Sequence, residues 1–383
     1  MEWPTKKLSD IYENLDSKRV PITKKDRIEG PYPYYGASGV VDSVSDYLFD
    51  EDLLLVSEDG ANLLARTYPI AFSISGKTWV NNHAHVLRFP SLVSQRFVEY
   101  YLNSISLRDY VSGMAQPKLN KKSLNLIPIP DPEHQVKSKV VELLDKAFAD
   151  IDQARLNTEK NLRNAREVFD SYLQQVFSEC SERWKQTTLN DLCNKFEYGT
   201  SSKSSQEGEV PVIRMGNIQD GSIVMDKLVY SLNEDDNQKY RLNFNDILFN
   251  RTNSAELVGK TAIYKSEEQA IFAGYLIRIH RNEKLLNADY LNFYLNSPIA
   301  RRYGEQVMSQ STNQANISGS KLKMYPINVP ASLEEQQVIV EKISTLKERT
   351  EELEATYKSK LKALDELKKS LLQQAFTGQL TQG

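Results

Sequence analysis

The sequence predicts an α+β protein of the order domain–helix–domain–helix: two similar domains separated by a long antiparallel two-helix coiled coil, a pseudo-two-fold internal repeat. Three observations predict it. Segments 131–180 and 332–378 carry sustained helical periodicity, the blocks before them, 1–130 and 184–330, repeat the same order of features, and each block enters its helix through a similar Pro-rich exit.

The first block opens with WPTKKLSDI, Trp3 to Ile11, and passes through the turn-rich PYPYYGASG, Pro31 to Gly39. Strand-like runs follow over 47–56, 69–74 and 79–89, and a helix over 94–109. The exit is GMAQPKLNKKSLNLIPIP, Gly113 to Pro130. Asp131 then stands as a natural N-cap with Pro132 at the first helical position, where its missing N–H costs nothing. Val136, Val140, Leu143, Ala147, Ile151, Ala154, Leu162, Ala165, Phe169, Tyr172 and Val176 form the apolar stripe of this helix.

The second block repeats the first. WKQTTLNDL, Trp184 to Leu192, matches WPTKKLSDI with Trp, Leu and Asp in register, and Tyr290 to Ser297 echoes Phe97 to Ser104. The exit QSTNQANISGSKLKMYPINVP aligns Gln314 with Gln116 and Ile317 with Leu119. In the second helix, Ser332 and Glu335 form a capping box and Gly378 offers a left-handed stop. Ile339, Ile343, Leu346, Thr350, Leu353, Tyr357, Lys360, Leu364, Leu367 and Leu371 alternate in steps of four and three, the period of a coiled-coil seam, with Lys360 as a polar register device. The outer positions Leu144, Phe148, Val338 and Leu372 are either partner contacts or domain packing. A helix of this length carries the chain roughly 65 Å from the first domain. A parallel partner would then force the second domain, only roughly 40 Å across, to stretch back over the coil; antiparallel pairing needs no such stretch.

Composition narrows the function. The 383 residues are 40% hydrophobic and 26% charged, with a net charge of -3. That balance is ordinary for a soluble protein and argues against a chain that grips nucleic acid unaided, because phosphate neutralisation shows as a basic excess. No apolar run approaches the ~18 residues of a membrane span and the start lacks the apolar core of a signal peptide, so the expectation is a cytoplasmic protein with no membrane partner. Cys180 and Cys193 have neither a disulfide framework nor zinc-site spacing around them and read as reduced bystanders. No dinucleotide or nucleotide-triphosphate loop and no amino-methyltransferase Asn-Pro-Pro-aromatic stretch occurs. His83 and His85 are spaced for one face of a strand but lack further metal ligands nearby, and Glu58-Asp59 before Gly60 reads as a turn rather than a nuclease acid pair.

The loops carry a different vocabulary. The first block offers Ser38, Glu58, Asn62, Arg66, Asn81, Asn82, His83, Gln116, Lys118, Asn120, Lys121 and Lys122; the second offers Arg214, Asn217, Asn250, Arg251, Thr252, Asn253, Lys260, Gln310, Thr312, Asn313, Gln314, Asn316, Lys321 and Lys323. Asn, Gln and Arg can present two hydrogen bonds to a base edge, whereas Lys and Ser suit phosphates. NNHAH, NRTNS and STNQANIS are richer in amides than turn chemistry requires.

With these features assembled, the whole chain resembles the specificity (S) subunit of type I restriction-modification systems. The likeness rests on the exits IPIPDPEHQ and YPINVPASLEEQQ, the ending SLLQQAFTGQL, and the segments WVNNHAHVLR and VSEDGANL; His134 stands where the family more often has Glu. The resemblance implies a non-catalytic DNA-reading scaffold with two target-recognition domains. Each would read one half of a bipartite, asymmetric site in double-stranded DNA, while the helices fix the unread spacer and dock two modification subunits. It further implies that those subunits carry S-adenosylmethionine and methylate a flipped adenine, that restriction subunits bring ATP and Mg, and that this chain itself binds no cofactor. On this reading the amides with Arg251 or Arg66 read base edges, and Lys118, Lys121, Lys122, Lys321 and Lys323 hold phosphates. The rivals are a stand-alone methyltransferase or nuclease, and a coiled-coil interaction protein whose repeated domains bind protein or glycan.

Overall fold

The computed structural model describes residues 3–113, 115–179, 184–312 and 314–381. The chain forms two compact units, Met1–Glu159 with Ser359–Gly383, and Lys160–Lys358, so both long helices are shared between them.

The first unit runs through β1 (Thr5–Lys7), β2 (Glu13–Asn14), β3 (Tyr32–Gly36), β4 (Gly39–Val44), β5 (Phe49–Asp50), β6 (Leu53–Ser57), α1 (Asn62–Ala65), β7 (Ala71–Ile74), β8 (Lys77–Val80), β9 (Ala84–Arg88), α2 (Leu92–Ser104), α3 (Lys121–Asn125) and β10 (Pro128–Pro130) into α4 (His134–Ser178). Its sheets have the orders β2-β9-β6-β7 and β4-β3-β8-β5, and β1 clasps β10 antiparallel. Every residue of β6 is buried because its sheet is covered on both faces. Leu54, Val56, Leu87, Val98 and Leu102 pack between that sheet and α2, while Leu53, Leu55, Val80 and Val86 fill the other side.

The second unit repeats this plan from β11 (Trp184–Thr188) through α5 (Leu189–Leu192), β12 (Cys193–Tyr198), β13 (Val210–Ile213), β14 (Ile218–Gln219), β15 (Ser222–Ile223), β16 (Tyr230–Ser231), α6 (Glu234–Lys239), β17 (Ile247–Asn250), β18 (Thr252–Asn253), β19 (Thr261–Ile263), β20 (Ile271–Phe272), β21 (Leu276–Arg281), α7 (Ala288–Asn296), α8 (Pro298–Val307), β22 (Ser309–Ser311), β23 (Gln314–Asn316), α9 (Gly319–Lys323) and β24 (Pro326–Pro330) to α10 (Leu333–Phe376). The order β12-β21-β17-β19 reproduces β2-β9-β6-β7, extended by β15 and β14. Likewise β13 pairs parallel with β20 as β3 does with β8, and β11 clasps β24 as β1 clasps β10. The aligned Leu8 and Leu189 are both fully buried, as are Leu119 and Ile317. Matching sequence thus marks matching core positions.

Local chemistry moves several boundaries. The run 79–89 breaks at 81–83 because the Asn81 carboxamide accepts the His83 N–H at 2.8 Å and turns the chain. The helix expected to reach residue 109 starts at Leu92, where Ser91 accepts the Ser94 N–H, and stops at Ser104. Arg66 donates to the Leu102 and Ile105 carbonyls at that end, where orphan C=O groups favour a cation. Asp131 does not cap α4. Its carboxylate binds Lys6 at 2.6 Å and also Lys137, and the helix begins at His134.

In each unit the two helices run antiparallel. Asp152 meets Lys368 and Arg155 meets Asp365 in the first; Arg166 meets Glu354 in the second. Every stripe residue expected on α4 is buried or half-buried, and Thr158 completes the line between Ala154 and Leu162. Its hydroxyl donates to the Ala154 carbonyl at 2.6 Å, which satisfies it without a partner from the other helix. On α10 the expected seam holds to Thr350 and then changes phase: Leu353, Lys360 and Leu367 are exposed, while Glu354, Leu361 and Lys368 are half-buried. The Arg166–Glu354 and Lys368–Asp152 pairs account for this shift, since charged ends can reach water while their stems cover the seam. Lys360 is therefore outside the seam; Glu354 and Lys368 lie half-buried in it, and Thr158 and Thr350 are buried polar residues along it.

Ser332 caps α10 by accepting the Glu335 N–H at 3.1 Å, while the Glu335 carboxylate accepts the Trp184 indole N–H at 3.0 Å. At the other end Gly378 takes a φ of 77°, as the left-handed stop requires. Leu144, Phe148 and Leu372 are domain packing: they join Phe97, Tyr100, Val140 and Ala375 in one apolar cluster, whereas Val338 is exposed. Leu144→Ala should consequently cost about 2–5 kcal/mol in urea denaturation of the full chain, and Val338→Ala less than about 0.5 kcal/mol.

Candidate nucleic-acid interface

In both units the same backbone frame gathers the polar loops. The Glu58 N–H donates to the His83 carbonyl at 2.9 Å, and the Glu58 carbonyl accepts from Leu119 N–H at 2.8 Å. In the second unit the Arg251 N–H donates to the Tyr275 carbonyl at 3.0 Å, and the Arg251 carbonyl accepts from Ile317 N–H at 2.9 Å. Glu58 and Arg251 therefore occupy equivalent places, each just beyond its central strand, β6 or β17. Bridges of Asp59 and Ser112 to Lys118 tie the first unit's loops together, and the ribbon β18-β23-β22 does so in the second.

An ionic network underlies the first set of loops. Arg19 reaches Glu58 at 2.7 Å and the Ala84 carbonyl at 2.7 Å; Lys118 meets Glu58 at 3.2 Å. His85, 1% exposed, places Nδ1 2.7 Å from Asp16 and Nε2 2.8 Å from the Leu119 carbonyl. Burial alone would raise the Asp16 carboxyl, but the hydrogen bond and charge of His85, with Asn14 and the Val86 N–H, outweigh it and hold the group at about 2. Glu58 is likewise lowered: burial opposes ionisation, and Arg19, His85 and Lys118 overcome it. His83, outside the strand and exposed, pairs with Asp59 at 2.9 Å, so the two histidines do not share a strand face.

Of the residues proposed from the first block, Ser38, Asn82, His83, Gln116 and Lys118 are exposed on neighbouring turns; Ser57 Oγ fixes the first of these by donating to the Ala37 carbonyl at 2.5 Å. Lys121 and Lys122 are exposed on α3 and make no ion pair among the described residues. Others are occupied internally. Arg66 caps α2 and burial lowers its pKa; Asn62 staples Tyr68 through both its N–H and carbonyl; Asn81 forms the 81–83 turn; Asn120 caps α3. The expectation that Arg66 faces outward to read bases is corrected by those carbonyl bonds.

In the second unit the ribbon brings Asn253, Thr312, Gln314 and Asn316 beside Arg251, and Lys321 donates to Ser309 at 2.7 Å at its edge. Asn313 lies outside the described residues. Thr252 is buried and accepts the Asn316 side-chain N–H at 2.7 Å; Asn253 accepts the Ser254 N–H at 2.9 Å. Asn217 and Asn250 are buried, the former donating to Val224 and Asp226 carbonyls, the latter to Leu257 with its Oδ1 unpaired. Arg214 is exposed and donates to the Lys227 carbonyl at 2.9 Å. Neither it nor Arg251, Lys260, Lys321 or Lys323 pairs with a carboxylate among the described residues. The second set of loops is thus cationic, whereas the first is largely charge-compensated.

Asp16, Arg19 and Tyr198 were not among the expected site residues. Asp16 and Arg19 lie far in sequence from the loops they brace, and Tyr198 follows ordinary strand alternation; only the sheet brings it to Arg251, whose Cζ lies 4.9 Å from its ring centre.

A family model described as the type I restriction modification DNA specificity domain matches residues 1–160 and 181–363. The chain is 25% identical to a protein assigned as the type I restriction enzyme specificity subunit S.HindORF215P of Haemophilus influenzae, covering 90% of this chain and 88% of that one. It is 23% identical to the EcoKI specificity subunit of Escherichia coli, over 82% and 74% respectively. Among solved structures, one from work on assembly and conformational transition of the type I R-M system superposes with a TM-score of 0.74 at 15% identity, over 99% of this chain and 98% of that one. The HsdS subunit from Thermoanaerobacter tengcongensis gives 0.55 at 16% identity, over 98% and 97%. Both show a shared fold.

The depressed Asp16 group links stability to pH. Its contribution is complete above the unfolded value near 3.8 and is lost as pH falls from there through about 2. The stability difference between the wild-type chain and Asp16→Asn should therefore shrink across that window, read by chemical denaturation at successive pH values.

Proposed function

The chain belongs to the type I restriction-modification DNA specificity family, and from that premise we propose that each of its two loop clusters reads one half of a bipartite double-stranded DNA site. The carrying observation is the repeated frame itself: one backbone arrangement, closed by 119 on 58 and by 317 on 251, presents two chemically different sets of side chains. Equal frames with unequal contents suit an asymmetric target. Exposed amides and hydroxyls at Ser38, Asn82, Gln116, Thr312 and Gln314, with the half-buried Asn253, offer groups for base edges, while Lys118, Lys121, Lys122, Lys260, Lys321 and Lys323 suit phosphates.

On this reading the chain supplies recognition and two modification subunits supply adenine methylation with S-adenosylmethionine; restriction subunits add ATP- and Mg-dependent cleavage. The net charge of -3 accords with partners that share the grip on the DNA backbone. The antiparallel helices serve as the spacer, with the Arg155–Asp365 and Arg166–Glu354 pairs fixing their register in each unit. Arg166, by hydrogen bond and charge, with Lys358, holds the Glu354 carboxyl at about 2 against the opposing effect of burial.

Methylation mapping of DNA from cells that express the chain with its modification subunit should yield one bipartite motif. An electrophoretic assay of the same complex with no sequence-dependent retention would instead favour the protein- or glycan-binding rival. Deleting seven paired residues from each helix should shorten the preferred gap between half-sites by about three base pairs, since each heptad spans roughly 10 Å. An unchanged gap would refute the spacer role.

A further inference from the structure

Arg251 lies on a tyrosine ring, as Arg27 of the first unit does over Tyr34, but among the described residues it lacks the carboxylate that Arg27 has in Asp42. Its guanidinium lies over the face of Tyr198 at 4.9 Å, and the Tyr198 hydroxyl oxygen in turn accepts the Gly319 N–H at 2.8 Å. The ring is therefore held from behind as a fixed platform. A Cβ at position 319 would sit 3.2 Å from that hydroxyl oxygen, so glycine there keeps the platform seated. Contact through the ring face uses the charge of the guanidinium and leaves its N–H groups, which lie in its plane, available.

Those donors are largely unspent. Nη1 has one bond, to the Gly274 carbonyl at 3.4 Å, near the outer limit of such contacts. Nε is buried with no partner, and Nη2 makes no hydrogen bond among the described residues. A buried donor left unmatched inside a native fold calls for an explanation. Here it belongs to a flat, oriented, fixed-charge fork between a rigid ring and an amide-rich ribbon. Glu58, at the equivalent place in the first unit, is by contrast neutralised by Arg19 and Lys118.

We propose that Arg251 is a specificity-determining residue of the second recognition domain, reading the O6 and N7 acceptors of a guanine in the major groove, with Tyr198 as its positioning residue. The first domain makes no such contact from the matching position. This rests on the DNA-reading function proposed above and names the base it reads at this position.

The test uses the chain assembled with its modification subunit and duplexes carrying 7-deazaguanine, which lacks the N7 acceptor, at each guanine in turn. The wild-type complex should lose roughly 5- to 150-fold in affinity at one guanine of the half-site read by the second domain. Arg251→Met, which keeps the apolar stem and loses every donor, should bind that duplex and the unmodified one equally while retaining wild-type discrimination in the other half-site. Tyr198→Leu should weaken discrimination at the same guanine alone. The inference is overturned if that half-site holds no guanine, if Arg251→Met retains the full penalty, or if Arg251→Ala lowers affinity equally for cognate and random DNA with a shallower salt dependence, the signature of a phosphate contact. A wild-type complex without any sequence preference would overturn the DNA-reading function and this inference with it; a sequence-specific wild-type complex that loses no affinity at any 7-deazaguanine would overturn this inference alone.

Discussion

A helix of about 45 residues with an apolar stripe cannot stay single in water: the stripe must be covered, and everything else in this chain is arranged by how that is done. The covering comes from the chain's own second helix and from the domains. In the first unit Leu144 and Ala375 meet Phe97 of α2; in the second Leu173, Val176 and Phe177 join Val340 and Ile343 in the same core as Leu291 and Tyr294 of α7. Helix pairing and domain docking are one continuous burial of apolar surface in each unit, so the recognition loops rest on frames that cannot tilt independently of the helix segments beside them.

The two loop clusters solve one structural problem with opposite electrostatics. A polar tip must keep its turns in place without a hydrophobic filling. The first unit uses buried charge, with Asp16, Arg19, Glu58 and His85 closing on one another, which gives rigidity but leaves little net field. The second uses strand pairing through its ribbon, which satisfies the backbone directly and frees its cations. In a complex that must approach a polyanion, the second cluster would contribute more of the salt-dependent attraction and the first more of the shape.

Much of this architecture was legible in the sequence because it depends on local patterns: the Ser332 cap, the Gly378 stop and the α4 stripe are signals within a few residues of one another, and the repeat shows wherever two such short stretches match. The exceptions share a cause. Asp131 looks like a cap until Lys6, which arrives on β1, and Lys137 take its carboxylate. Lys360 fits a seam by spacing, yet Glu354 and Lys368 occupy the buried line because their partners on α4 draw them there. In the loops, amide-rich composition did not separate Asn82, which faces solvent, from Asn81 and Asn250, which hold the backbone. Asn81 accepts the His83 N–H two residues on and Asn250 donates to the Leu257 carbonyl seven residues on, and it is the packing of the strands around these turns that buries one amide and exposes its neighbour.

The clasps at the domain bases have an architectural consequence. Thr5 pairs with Pro130 in the first unit and Trp184 with Pro330 in the second, so each domain begins and ends at one place, beside a single pair of short strands. A segment whose ends meet behaves as an insertion: its interior can change in length and content while the chain that carries it keeps its course. Everything between the two strands of a clasp is in this sense a replaceable cassette, and the helices form the socket into which it fits.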